Sequence, residues 1–237
     1  MKLSIIIPAF NEERTITMVL KKLKALKIDS VDKEIIVVDD GSTDSTESEI
    51  RNSKFEIRNL KIFRHAKNLG KGAAVRTGIK NTTGDYILIQ DADLEYDPKY
   101  IPTLVGSIKN GITVVYGTRL KRAPHLSKEE KRIRFLLHYF GNRFLSFLTS
   151  VLYGQWITDM ETGYKLFPKA AVFNMKLNAR SFEFEPEVTA KLLKKGYKIL
   201  EVPITVNPRG YEEGKKLNTF RDGFKALWTI IKYRFID

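Results

Sequence analysis

Three apolar runs in this chain end abruptly in acidic residues, and no other feature restricts the fold as strongly. "LSIII" at 3–7 leads into "PAFNE", "EIIVV" at 34–38 into "DDGSTD", and "YILIQ" at 86–90 into "DADLEYDP". The runs are continuous rather than alternating, so both faces of each strand must be covered, as in a parallel sheet with helices on either side. "LKIF" (60–63) and "ITVVYG" (112–117) read as further strands, and helical patterns at 13–27, 43–52, 71–80 and 98–109 fall between them. The expected fold class is α/β, doubly wound. In such sheets ligands bind at the carboxyl ends of the strands, which is where all three acidic loops fall.

That edge is unusual in a chain of 237 residues with a formal charge of +13. Asp91, Asp93, Glu95 and Asp97 repel one another unless water separates them or a cation gathers them. Alternation along an extended segment would direct Asp91, Asp93 and Glu95 to one side. The chain has no cysteine and three histidines, so a metal here would be held by oxygens, which points to Mg²⁺ or Mn²⁺. In "DDGSTD", a turn and helix cap account for Gly41, Ser42 and Thr43. They leave the pair Asp39–Asp40 as acceptors suited to the N–H edge of a base or the hydroxyls of a ribose.

The positive balance suggests an anionic partner: a nucleotide, phospholipid head groups or nucleic acid. No nucleic-acid motif supports the last, and the clustered acids oppose it. The opening "MKLSIIIPAFNEE" does not read as a signal peptide, and the longest uncharged run, 144–158, is too short to span a bilayer. A cytoplasmic protein, soluble or peripheral on the membrane, is expected.

Downstream, residues 120–158 are basic and then rich in Phe, Leu and Tyr. "MKLNARSFEFEPEVTAKLLKKGYKILEVPITV" reads as a loop or short strand, then a helix from about 186 to 195 and a strand from about 198 to 206. In the C-terminal helix, Phe220, Phe224, Leu227, Trp228, Ile231 and Phe235 share one stripe with basic residues beside it. The expected organisation is one catalytic domain, 1–218, with an amphipathic appendage, 219–237. That helix either lies in a membrane interface or covers the sheet.

"PAFNEE", "VVDDGSTD", "NLGKGAAVRTGI", "DADLEYDP" and "GTR", in this order, resemble the family 2 glycosyltransferases of the GT-A fold, whose Rossmann-like central sheet is mostly parallel. "TDMETGYKLF", "FEFEPEV", "EVPITV" and "PRGYEEGKK" bring the likeness closest to polyprenyl-phosphate (dolichyl-phosphate) mannose and glucose synthases. The resemblance implies transfer of a hexose from a nucleotide sugar, GDP-mannose or UDP-glucose, to a lipid phosphate, with inversion. It assigns Pro8, Phe10, Glu12, Val38 and Asp40 to the nucleoside pocket with Asp39 nearby, and Ala92 to the same side. Asp91, Asp93 and Glu95 take the metal and diphosphate positions. Lys71 reads equally as a nucleotide contact or as a solvated lysine at a helix start.

On the acceptor side, a phosphate monoester is already ionised near neutral pH, with a second pKa of about 6, so its nucleophile needs cations to position it more than a base to create it. Arg119, Arg134 and Arg209 supply them. The family pattern has a serine one turn after the helical arginine; here His138 stands there, either bonding phosphate or packing. Asp159 matches the family's acid near the acceptor and is expected to orient sugar or arginine. Three rivals remain. A nucleotidyltransferase would carry a glycine-rich basic loop where this chain has "PAFNEE". The others are a glycosyltransferase acting on protein, polysaccharide or soluble sugar, and a nonenzymatic anion-binding module.

Overall fold

The computed structural model describes residues 1–54, 57, 59–109, 111–120, 133–207 and 219–236, with the backbone alone at 133–135, 137, 138, 219 and 220. Strands β1 (Lys2–Ala9), β2 (Asp32–Asp39), β3 (Leu60–Arg64) and β4 (Tyr86–Ile89) are parallel, with β1 between β2 and β4. The sheet continues through β5 (Val114–Thr118), β6 (Lys165–Pro168) and β7 (Ile199–Pro203), in the order β3-β2-β1-β4-β6-β5-β7. Strand β6 alone runs antiparallel, between β4 and β5. Register aligns Ala9 with Asp39 and Ile6 with Ile89, so the acid-bearing strand ends lie side by side at one edge.

Both faces are buried, as the continuous apolar runs require. Ile5, Ile7, Ile35, Val37 and Leu88 pack against helices α1 (Ile16–Ala25) and α4 (Ile101–Gly106), while α2 (Thr46–Lys54) adds Ile50. On the other face Ile6, Ile87 and Ile89 meet Val75 and Ile79 of α3 (Lys71–Lys80), the helix introduced by "NLGKGAA". Helices α5 (Ile133–Tyr153), α6 (Lys169–Val172), α7 (Phe184–Lys194) and α8 (Thr219–Phe235) complete that layer. Each such isoleucine, fully buried, contributes about 1.5–3 kcal/mol.

Four local differences from the sequence expectations have physical causes. The region 98–109 divides into a 3₁₀ turn, Pro98–Tyr100, and the short α4. "FEFEPEV" opens α7, because Pro186 lies in the first turn, where its missing N–H costs nothing. The four-residue β6, Lys165–Pro168, is too short for its periodicity to announce it. In α8 the helix covers the sheet layer with Ala226, Ile230 and Tyr233, and Tyr153 Oη donates to the Ile230 carbonyl at 2.9 Å. Of the apolar stripe read from the sequence, Phe224 (74% exposed), Trp228 (66%), Ile231 and Phe235 face outward, Leu227 packs against the core, and the side chain of Phe220 lies outside the described residues.

At the edge opposite the acidic loops, the buried Glu34 carboxylate accepts from Ser4 Oγ (2.5 Å), Thr83 N (2.6 Å) and Lys61 Nζ (2.8 Å), joining three strands and a turn. Burial alone would raise its pKa, but these bonds more than offset that and hold it at about 2, below the ordinary 4.5. A depressed carboxylate contributes stability that is present above its unfolded value and lost as pH falls through the folded one. The melting temperature should therefore fall between pH 4.5 and 2. Glu34→Gln should melt lower at pH 7 and lose part of that slope; an unchanged acid profile in the variant would show that Glu34 does not carry it.

Candidate active site

The loops after β1 and β2 are laced together by their own polar residues. Ser42 Oγ accepts from Asn11 N at 3.0 Å, Thr46 Oγ1 from Glu12 N at 2.7 Å, and Asn11 Oδ1 from Thr43 N at 2.9 Å. The Asp39 carboxylate is buried in this turn: Oδ1 accepts from Ser42 N at 2.9 Å and Oδ2 lies 3.2 Å from Arg64 Nε. Asp40 reaches the next loop, accepting from Leu69 N (3.0 Å) and Gly70 N (2.7 Å), with His65 Nδ1 at 2.6 Å. His65 is held in turn by Thr77 Oγ1, 2.9 Å from Nε2. Gly70, at φ 96°, lies so close to the next segment that a Cβ would stand 2.2 Å from the Arg180 carbonyl oxygen. This turn delivers Lys71 into a cleft of about 350 Å³ at the strand ends.

Pro8, Phe10, Glu12, Asp40, Lys71, Asp91, Ala92, Asp93, Glu95 and Arg119 all line that cleft. Asp39 and Val38 stand behind the wall, Val38 within a small buried cluster. Arg209 lies outside the described residues, as do the side chains of Arg134 and His138, whose backbone belongs to α5.

The acidic loop does not continue β4 as an extended segment. Residues 91–95 turn, with Leu94 at φ 61°, a conformation uncommon for a non-glycine residue and favoured here by the fixed loop ends. Buried Gln90 donates from Nε2 to the carbonyls of Asp91 and Tyr96, both at 3.0 Å, and Tyr164 Oη donates to its Oε1. Tyr96 Oη accepts from Gly163 N at 2.9 Å, and a Cβ at Gly163 would stand 2.3 Å from Asp91 Oδ2. Among the described residues no three His, Cys, Asp or Glu side chains are gathered closely enough to hold a metal by themselves.

Lys71 stands on Asp91 instead. Its ammonium is 2.7 Å from Asp91 Oδ1 and 2.8 Å from Glu185 Oε1. Burial would lower its pKa; the two carboxylates more than reverse this and hold it well above the ordinary range. Seven carboxylates line the cleft against two cations, Lys71 and Arg119. A hard cation bound by one or two carboxylates and completed by substrate phosphates suits such an oxygen-only donor set, so the residues present fit Mg²⁺ or Mn²⁺.

Arg119 follows β5 and makes a two-pronged pair with Asp159, Nε to Oδ2 at 2.8 Å and Nη2 to Oδ1 at 2.7 Å, while its backbone N–H also donates to Oδ2 at 2.9 Å. Asn142 of α5 adds a bond to Oδ1 at 3.3 Å. Burial pushes the fully buried Asp159 up, and Arg119 outweighs it and leaves the acid below its ordinary value. Asp159 is thus an ionised orienting group for Arg119. Four contributors to the site were assigned no role from sequence although they lie in the quoted motifs: Gln90 and Tyr96 flanking the acids, Glu161 in "TDMETG" and Glu185 in "FEFEPEV".

The family model described as Glycosyl transferase family 2 matches residues 4–173. The chain belongs to that family. An uncharacterised protein of Methanocaldococcus jannaschii is 33% identical over 96% of this chain and 90% of its own length. The dolichol-phosphate mannosyltransferase of Pyrococcus furiosus is 29% identical over 98% of this chain and 64% of its own. In fold, this glycosyltransferase is similar to glucosyl-3-phosphoglycerate synthase of Mycobacterium tuberculosis, solved with Mn²⁺, uridine diphosphate and phosphoglyceric acid: TM-score 0.74, 21% identity, covering 100% of this chain and 79% of that one. The glycosyltransferase therefore has a GT-A fold, and its Arg119–Asp159 pair should be a stability element as well. Asp159→Ala, which leaves Arg119 without its counter-charge, should cost about 3–5 kcal/mol in urea unfolding; a loss below about 1 kcal/mol would contradict a tightly held pair.

Proposed function

We propose that this glycosyltransferase moves a hexose from a nucleotide sugar, GDP-mannose or UDP-glucose, to a polyprenyl phosphate at the cytoplasmic face of a membrane. The observation that carries this reading is the two-sided build of α5. Its inner face sends Asn142 to Asp159 and buries Leu145, Ser146 and Thr149, while its outer face exposes Phe140, Phe144, Phe147 and Val151 at successive helical turns. Helix α8, packed against α5 and α7, repeats the pattern outward with Phe224, Trp228, Ile231 and Phe235, flanked by Arg221, Lys225, Lys232 and Arg234. Apolar stripes with basic flanks suit an interface containing anionic lipid. No described helix is long and apolar enough to cross a membrane. Similarity to the Pyrococcus mannosyltransferase supports the same acceptor class.

An ionised acceptor phosphate needs no general base, in keeping with an Asp159 already committed to Arg119. Its oxygen attacks the anomeric carbon as the bond to the diphosphate breaks, and one displacement inverts the configuration. Arg119 orients the acceptor, with Arg134 and Arg209 assigned to the same phosphate, and Lys71 supplies positive charge on the donor side. A divalent cation held by one or two of the carboxylates Asp91, Asp93 and Glu95, with the diphosphate supplying further oxygens, would offset the charge of the departing nucleoside diphosphate. Pro8, Phe10 and Glu12 hold the nucleoside.

With a short polyprenyl phosphate in detergent, the expected product is a lipid-linked hexose of inverted configuration, and none with the plain polyprenol. Asp93→Asn should lower turnover about a hundredfold or more. Equal transfer to the alcohol, or preference for a small phosphorylated acceptor, would overturn the acceptor assignment. Replacing exposed Phe144 and Trp228 by Ser should weaken flotation with anionic liposomes on the order of tenfold while leaving the melting temperature unchanged. Undiminished flotation would remove these helices from the interface.

A further inference from the structure

The segment 158–163 is held in place by hydrogen bonds from most of its residues. Thr158 N and Asp159 N donate to Glu201 Oε1 at 2.9 Å, and Met160 N donates to Ser146 Oγ at 2.9 Å. Buried Lys165 donates to the Met160 carbonyl at 2.8 Å and to Thr189 Oγ1 at 3.3 Å, with its ammonium 3.8 Å from the Tyr116 ring centre. Thr162 Oγ1 donates to the Gly117 carbonyl, and Gly163 N to Tyr96 Oη. Glu161, at the centre of this rigid segment, lines the cleft, and its buried Oε1 has no hydrogen-bond partner among the described residues. Across the same cleft wall Glu185, 4% exposed, gives Oε1 to Lys71 and leaves Oε2 buried and unpartnered.

A buried acceptor left without a partner costs about 1–3 kcal/mol, more if charged, so a rigid loop that displays one calls for an explanation. The nearby cations do not supply it: Lys71 is committed to Asp91 and Glu185, Arg119 pairs with Asp159, and Lys165, behind the cleft, is held by Met160 and Thr189. Gly163, two residues on, touches Asp91, which places Glu161 near the diphosphate end of the cleft. The group of a nucleotide sugar joined to that end is the hexose, whose ring carries hydroxyls that donate to such oxygens.

We infer that the Glu161 carboxyl is a specificity-determining contact that hydrogen-bonds a hydroxyl of the donor hexose. The inference rests on the reading of the cleft as a nucleotide-sugar site and adds the residue that reads the sugar. A site built to bond a substrate hydroxyl discriminates strongly against a donor that presents none there, because its own buried group is then left unpaired. Burial and the neighbouring Glu185 raise the Glu161 carboxyl, so a neutral amide of the same shape is a close substitute.

The experiment compares Glu161→Ala and Glu161→Gln with wild type, using calorimetry in Mn²⁺ with UDP-glucose against UDP, and GDP-mannose against GDP. Glu161→Ala should lose about ten- to hundredfold in nucleotide-sugar affinity while the affinity for the bare nucleoside diphosphate stays within about twofold. Glu161→Gln should restore most of the loss. In transfer assays the kcat/KM ratio between two epimeric donors of one nucleotide should fall toward unity in Glu161→Ala. Equal losses for nucleotide and nucleotide sugar, or no change in either, would overturn the assignment while leaving the functional reading intact. A wild type that binds no nucleotide sugar would overturn that reading and the inference with it.

Discussion

The Lys71 ammonium holds the cleft together. It bridges Asp91 at the end of β4 and Glu185 in α7, 2.7 and 2.8 Å away, and so ties the parallel half of the sheet to the α7 side of the cleft. Without a cation there, carboxylates delivered by separate loops would repel across a partly buried space. Its position depends on backbone geometry upstream. Asp40 anchors the Leu69 and Gly70 amides, and Gly70 lets α3 begin against the Arg180 carbonyl. What the sequence presents as a run of acids in a basic protein is, in three dimensions, an acid-rich wall with one lysine set into it.

The parallel half of the fold was legible because its strands are buried on both faces, so continuous apolar runs mark them directly, and α3 falls on the residues expected of it. Strand β6 was not legible: four residues inserted antiparallel owe their place to neighbours on both sides. For the site, residue type and strand-end position pointed to Asp91, Asp93, Glu95 and Arg119, the resemblance left Lys71 open between a nucleotide contact and a solvated lysine, and all five line one cleft. The internal arrangement of the acidic loop was not readable, because Leu94 turns the chain and Gln90 clamps both ends through tertiary bonds. Asp39 and Asp40 are adjacent and chemically identical, yet one closes its own turn and the other anchors a loop thirty residues on.

The two amphipathic helices show the same limit. Period and polarity identify a stripe in α8 but not which stripe the core takes. The smaller face with Ala226 and Ile230 goes inward because it fits against α5 and α7, and the larger aromatic stripe remains outside. In α5 the inner face is polar where it meets Asp159, so one helix connects the buried ion pair with an exposed apolar surface. A glycosyltransferase with the proposed charged donor and polyprenyl acceptor needs such a boundary close to its chemistry.

The central claim is that this acid-lined cleft takes a nucleoside diphosphate only when a divalent cation offsets its charge. Equilibrium titration of UDP and GDP with and without Mn²⁺ tests it most directly. The account predicts saturable binding with the cation, for at least one of the two nucleotides, that is abolished by excess chelator. Equal affinity in the presence and absence of the cation would contradict it.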